Sequence, residues 1–129
     1  MTPRGGSLSR DDVQNIIRKG GRALVDAAES LGPRLKQNRL TTNQIRNVYG
    51  MVKRMELRLD RDDFEYDELI LLKPKLAYAA ARADNEGARE LKNVLSWAID
   101  EVGTDRKHFD RFVDFFEAIL AYHRAAGGR

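Results

Sequence analysis

Apolar residues along the chain recur at intervals of three and four positions, and the alternation typical of strands is nearly absent. This spacing is typical of helices that bury one face. It predicts five helices, which span about 11–30, 41–59, 63–83, 85–102 and 105–125. The most apolar stripe is that of the fifth helix, which consists of Phe109, Phe112, Val113, Phe116, Ile119 and Leu120.

Glycine and proline positions suggest where these helices end. Gly20-Gly21 weakens the first helix by about 1 kcal/mol per glycine and is a place where it can break, and Gly32-Pro33 is expected to end it. Pro74 either kinks the third helix or lies in the first turn of a helix that restarts there. Because the connections are short, we expect a compact all-α five-helix bundle with mostly antiparallel neighbours.

The length and composition narrow the class of protein. A chain of 129 residues predicts a single domain over 1–129, with 1–8 and 127–129 frayed. The absence of cysteine excludes disulfides, thiolate metal sites and cysteine nucleophiles. With no apolar run of about 18 residues and no signal-peptide pattern, we expect a cytoplasmic protein without a membrane partner.

Residues for catalysis or metal binding are sparse. His108 and His123 lie near opposite ends of one predicted helix, too far apart to share a metal, and His123 falls on the core stripe. The acidic run 60–68 lacks the glycine and the closing glutamate of a calcium loop, and acids at a helix N-terminus explain it more simply. No nucleotide-binding, hydrolase or metalloprotease motif occurs. We therefore expect no catalytic residue, no metal, no cofactor and no small-molecule substrate.

Charge is unevenly distributed, although the net charge is only +3. Residues 42–59 hold four Lys/Arg and one acid, residues 73–83 hold three and none, and residues 60–72 hold one and six acids. Polarised charge of this kind suits a polyanion. Mixed, solvated helix faces are the alternative explanation.

The second helix carries Arg46, Lys53 and Arg54 at positions i, i+7 and i+8, which predicts a shared basic face. Gly50 lies between them and leaves bare backbone, which either a sugar-phosphate chain or another helix could approach.

The third helix repeats the pattern, because Lys75 and Arg82 are separated by seven positions with Tyr78 between them. Tyr78 could stack on a base or pack in the core. The two basic faces could line one groove if these helices are neighbours, and their five cations are our candidates for binding RNA or DNA.

Three stretches, at 40–46 (LTTNQIR), 72–82 (LKPKLAYAAAR) and 112–124 (FVDFFEAILAYHR), occur in an order and spacing that carry a resemblance. Together they make residues 38–126 similar to the small helical subunit of the type III-A CRISPR effector, the Csm complex.

The resemblance implies a non-catalytic five-helix bundle that acts in antiviral defence. Copies of such a subunit stack along a filament that bears crRNA, next to other subunits. The implied partners are therefore crRNA and target RNA, the other subunits, and further copies of the chain. Contacts go to RNA phosphates without reading sequence, and Arg46, Lys75 and Arg82, followed by Lys53 and Arg54, are the matching candidates.

Other functions stay open at this point. One is a helical protein-interaction adaptor with no direct nucleic-acid contact, whose basic faces meet acidic partners. Another is a DNA-binding regulator, although the short turn followed by a recognition helix is missing. A metal nuclease that uses carboxylates is the last.

Overall fold

The structure, a computed structural model, describes residues 7–60 and 65–129. These residues form seven helical segments, six of which have ten or more residues, and no strand. The bounds are α1 Arg10–Lys19, α2 Gly21–Gln37, α3 Thr42–Asp60, α4 Asp67–Ile70, α5 Leu72–Ala83, α6 Glu86–Val102 and α7 Arg106–Ala125. The all-α class is confirmed, whereas the predicted number of five helices is too low.

The first predicted helix is two helices, because Gly20-Gly21 interrupts it. Gly20 has φ +60° and Gly21 has φ +55°, and this left-handed region favours glycine. Upstream of the break, α1 begins with a capping box, in which the Ser9 hydroxyl accepts from Asp12 N and the Asp12 carboxylate accepts from Ser9 N. The predicted weak point is therefore a true helix boundary.

Gly32-Pro33 does not end the helix, and this prediction was wrong. Pro33 lies inside α2, which continues to Gln37. Proline removes the donor for the Glu29 carbonyl, but Glu29 is exposed, so water can hydrate that group. Leu35 is fully buried beyond the proline. Its burial offsets much of the roughly 3 kcal/mol that an interior proline costs.

The third predicted helix is replaced by a short α4 and a separate α5. Its predicted start at residue 63 lies outside the described residues, and the chain turns at Leu71 before α5 begins. Pro74 is the third residue of α5, where a backbone N–H has no helical acceptor in any case. Of the two alternatives for Pro74, the restarted helix is therefore the right one.

One cluster of buried apolar side chains draws residues from every helix. Its centre is the α7 stripe, where Phe109, Phe112, Phe115 and Phe116 are fully buried. The sequence prediction for this helix is confirmed except that Leu120 is only half-buried.

The helix directions differ in part from those expected. Tyr49 pairs with Glu117 and Asp60 with Arg106, so α3 and α7 are antiparallel. The α2 helix, however, packs most extensively on α7 and runs in the same direction. Gly20 lies against Arg111, and Gly32 lies against Tyr122 and His123.

Both ends of the described chain make contacts with helices. At the N-terminal end, Leu8 is buried and the Ser7 hydroxyl accepts from Arg34, while residues 1–6 lie outside the described residues. At the other end, Gly128 N donates to the His123 carbonyl at 2.9 Å and Thr42 N donates to the Arg129 carbonyl at 2.5 Å. These contacts involve described residues at both ends, and the fraying of 1–8 and 127–129 stays a prediction.

His123 is a structural residue, as its place on the core stripe indicated. The side chain is fully buried, and Nε2 lies 2.6 Å from the Leu40 carbonyl. Because a carbonyl only accepts, Nε2 carries the proton. His123 therefore joins the end of α7 to the residues that precede α3.

Candidate nucleic-acid interface

The α3 and α5 helices lie side by side and antiparallel, with a groove between them. The Arg58 guanidinium pairs with Glu68 at one end, and Asn85 Nδ2 donates to Gln44 Oε1 at the other. The groove has a volume of about 360 Å³. Its lining consists of Gln44, Asn47, Tyr78, Ala79, Arg82 and Ala83. The two helices that carry the candidate cations are therefore neighbours, as one shared groove would require.

One exposed stripe runs along α5 beside this groove. Leu71, Lys75, Tyr78 and Arg82 follow one another at helical spacing, and all four are exposed. The opposite side of α5 enters the core through Leu72, Leu76 and Ala80. Lys75 and Arg82 therefore share a face, as the sequence predicted.

Tyr78 belongs to the surface and not to the core. The residue is 65% exposed, and the Arg82 Cζ atom lies 5.9 Å from the centroid of its ring. Such a distance is within the range of a cation–π contact. Of the two alternatives for Tyr78, core packing is excluded.

The basic face of α3 is wider than predicted. Arg46 and Lys53 are about 20° apart around the helix, whereas Arg54 is about 80° from Arg46. Arg54 follows Asn47 by seven positions and shares its side of the helix, which is the side of the groove. Of the five candidate cations, only Arg82 lines the groove itself. Arg46 and Lys53 lie about 100° and about 120° around α3 from Asn47.

Lys53 differs from the other candidates because it has an acidic partner. Its Nζ lies 2.6 Å from Glu56 Oε1, and the side chain is half-exposed. The hydrogen bond to Glu56 raises the pKa of the Lys53 ammonium above its usual value. Lys53 is therefore charged, but its charge is largely compensated.

The remaining four candidates keep their charge available. Within 7–60 and 65–129, no acidic side chain pairs with Arg46, Arg54, Lys75 or Arg82. Six cations elsewhere pair with acids of another helix, namely Arg10–Asp100, Arg18–Glu101, Arg34–Glu90, Arg58–Glu68, Lys73–Asp100 and Arg106–Asp60. Five acids thus join helices, and no described acid neutralises these four cations of α3 and α5.

The acidic run 60–68 takes part in this internal pairing. Asp60 binds Arg106 at 2.6 Å and joins the end of α3 to the start of α7. Glu68 binds Arg58 through both carboxylate oxygens and joins α4 to α3. Residues 61–64 lie outside the described residues. Asp60 and Glu68, two described residues of the run, therefore have a structural role.

Gly50 leaves part of α3 open. A Cβ atom placed there would meet only the Arg54 guanidinium, at 3.6 Å. No other helix of the described chain therefore packs on this glycine. The other alternative, close approach of a sugar-phosphate chain, stays a prediction.

Gln44 and Asn47 are groove residues that the sequence did not single out. Gln44 stands in the first of the three resembling stretches, and its side chain also caps α3, because Gln44 Oε1 accepts from Thr41 N. The sequence does carry a signal for them. Gln44 and Asn47 are three positions apart, so a helix places both amides on the same side, next to the core stripe of Ile45 and Val48.

A comparison with protein families shows where this helical chain belongs. The family described as Csm2 Type III-A matches residues 18–129. The chain belongs to the Csm2 family. This is the family of the small subunit of type III-A CRISPR effectors, so the resemblance found in the sequence is confirmed.

The match extends the resemblance toward the N-terminus, since it includes all of α2. Membership places the chain among the subunits of a Csm effector complex. No curated protein and no solved structure matches the chain significantly. None of the helices in the described ranges has the length and apolarity that crossing a bilayer requires.

Proposed function

We propose that this Csm2-family chain is a non-catalytic subunit that binds the backbones of crRNA and target RNA by charge, without reading sequence. In antiviral defence it would also scaffold neighbouring subunits of the ribonucleoprotein. The observation that carries the proposal is that Arg46, Arg54, Lys75 and Arg82 are exposed on two neighbouring helices and have no acidic partner within the described chain.

The mechanism is neutralisation of phosphates. A guanidinium offers a planar pair of donors that matches a phosphate, and each neutralised phosphate releases condensed counterions. Affinity should therefore fall steeply with salt, and phosphate contacts carry no base information. A single copy binds weakly in this mechanism, and copies that associate along a continuous RNA gain avidity.

One exposed feature of the surface supports contact with a protein neighbour. Ile70 and Leu71 are 52% and 58% exposed at the junction of α4 and α5. Adjacent exposed apolar residues suit a protein neighbour better than a phosphate chain. This pair supports the scaffolding part of the proposal, and it is also the feature that favours the adaptor alternative.

Reversing the charge of the unpaired arginines is expected to weaken RNA binding. Arg46→Glu and Arg82→Glu should each lower the affinity for RNA by about tenfold or more at low salt, because each places an anion where a phosphate binds. Each loss should also reduce the slope of log affinity against log salt by about 1. Fluorescence anisotropy with labelled RNA over a salt series measures both quantities.

Lys107→Glu is the matched control for this pair of variants. Lys107 is exposed in the first turn of α7, next to the end of α3 and far from Arg46. It changes the net charge equally and should alter the affinity less than Arg46→Glu does. Equal losses in all three variants would mean that only total charge matters, and wild-type binding by the two arginine variants would contradict the proposed surface.

The pairing of Lys53 leads to a second prediction for the same surface. Arg54→Gln should weaken RNA binding more than Lys53→Gln, because Arg54 has no acidic partner and Lys53 is compensated by Glu56. The two positions are adjacent, so the same binding assay compares them directly. A larger loss from Lys53→Gln would show that RNA displaces Glu56, and that pairing in the free protein does not indicate which cations bind.

A further inference from the structure

The groove between α3 and α5 has a feature that phosphate binding does not use, which is the exposed ring of Tyr78. We propose that this groove receives an unpaired nucleobase, which stacks on Tyr78 while the adjoining phosphates lie against Lys75 and Arg82. The inference rests on the proposed function, since it assumes that RNA follows this surface. It adds contact with a base, and thus a preference for single-stranded segments.

The environment of Tyr78 leaves a ring face available. Only one face of the ring can be covered by the Arg82 guanidinium, and the residue is 65% exposed. The opposite face of the ring is therefore open to water in the free chain. Stacking of a base on such a ring is favourable and tolerates any base, because every base has a π-face.

The rest of the lining suits a flat heterocycle with polar edges. Ala79 and Ala83 are small and leave room beside the ring, and the volume of about 360 Å³ is within the range of small-molecule sites. Asn47 is exposed, with an amide that can both donate and accept. Gln44 Oε1 already accepts from Thr41 N and Asn85 Nδ2, so its remaining polar group is the amide donor.

The charges around the groove suit the chain that a base would bring with it. Lys75 and Arg82 lie one turn before and one turn after Tyr78 on the same stripe, and neither pairs with an acid of the described chain. Within the part of the chain that the structure describes, the groove lining contains no carboxylate. A nucleotide can thus place its base on Tyr78 with cations on both sides for phosphates.

A paired base cannot make this contact. In a duplex both faces of a base are covered by its neighbours, so stacking on a protein ring requires an unpaired or splayed base. The groove therefore should distinguish single strands from duplexes, whereas Arg46 and Arg54 outside the groove should serve both.

The test uses the full chain with a labelled single-stranded RNA, an RNA of the same length in which the bases are replaced by abasic sites, and a duplex RNA. Tyr78→Ala should lower the affinity for the single strand about tenfold, in line with the stacking of one base. Its affinity for the abasic strand and the duplex should stay within about twofold of wild type. Tyr78→Phe keeps the ring and should bind the single strand like wild type.

A single-stranded DNA of the same sequence shows whether the base alone is recognised, since it shares the bases and lacks the 2′-hydroxyls. Equal losses for Tyr78→Ala on single strand, duplex and abasic RNA would overturn base stacking and leave a role in holding Arg82. No loss on any of them would also overturn it. A loss of binding to other Csm subunits with RNA binding intact would assign the groove to a protein neighbour instead.

These outcomes are separable from failure of the proposed function. Arg46 lies outside the groove, so Arg46→Glu reports on phosphate binding whether or not a base stacks on Tyr78. If Arg46→Glu weakens binding and Tyr78→Ala does not, only the nucleobase site is wrong. If the wild-type chain binds neither single strand nor duplex at low salt, both proposals are contradicted.

Discussion

Phe116→Ala is expected to lower the free energy of unfolding by about 3–5 kcal/mol, the usual cost of removing a fully buried phenylalanine. The ring is completely buried in the middle of α7. It meets the Tyr49 ring of α3 edge-on, with centroids 5.3 Å apart, and lies 6.4 Å from the Phe112 ring. Alanine would leave a cavity where α3 packs on α7, and surrounding side chains can close such a cavity only in part.

Chemical denaturation followed by circular dichroism measures this loss. Tyr78→Ala is the matched control, because it also deletes an aromatic ring from a helix but at an exposed position. Its effect on stability should stay within about 0.5 kcal/mol, as for most surface substitutions. If Phe116→Ala unfolded at the same denaturant concentration as wild type, α7 would not lie as described, with Phe116 in the core.

Gly32→Ala is expected to destabilise the protein by about 1–3 kcal/mol, as overpacking of a close contact does. A Cβ atom on Gly32 would lie 2.7 Å from His123 N and 2.7 Å from Tyr122 Cβ. Neither of these atoms is the end of a flexible side chain, so α2 and α7 would have to separate. The loss should appear although alanine is the better helix former by about 1 kcal/mol.

Gly50→Ala is expected to raise the free energy of unfolding in the same experiment, opposite to Gly32→Ala. Gly50 also lies inside a helix, but a Cβ atom there meets only the Arg54 side chain at ordinary contact distance. Helix propensity should therefore dominate and stabilise the protein by up to about 1 kcal/mol. If Gly32→Ala and Gly50→Ala changed the free energy of unfolding in the same direction, close packing of α2 on α7 would not decide the effect of alanine at Gly32.

Gly50→Ala also tests the bare backbone of α3 as an RNA contact. If a sugar-phosphate chain approaches at Gly50, the added methyl group should weaken RNA binding while stability rises. Unchanged affinity would restrict the RNA surface of α3 to its side chains.

Short-range features of this protein were accessible from the sequence. The apolar stripe of α7 follows from its spacing, and Ser9, Asn85 and Asp105 each cap a helix with a side chain that accepts a backbone N–H three residues later. These interactions involve residues within one or two turns, so the local order of residues determines them. The three stretches that carry the family resemblance are likewise continuous segments.

The candidate surface was accessible only in part. The spacing placed Lys75 and Arg82 on one face of a helix, and the structure agrees. The pairing of Lys53 with Glu56 was also within reach of the sequence, because the two residues are three positions apart, whereas Arg54 has no acid three or four positions away on its helix. The neighbouring position of α3 and α5, which creates the groove, is a long-range contact that no local pattern contains.

By itself, the sequence determined the helical class, the apolar stripes and the family, since these depend on residues that are close together in the chain. The tertiary structure alone decided that Pro33 is tolerated inside α2, because burial of Leu35 against distant residues outweighs a local rule. It also decided that Gly32 is a contact point with α7, and that Tyr78 faces water rather than the core. Each of these outcomes depends on which helices meet, and the meeting of helices is set by the summed packing of the whole core.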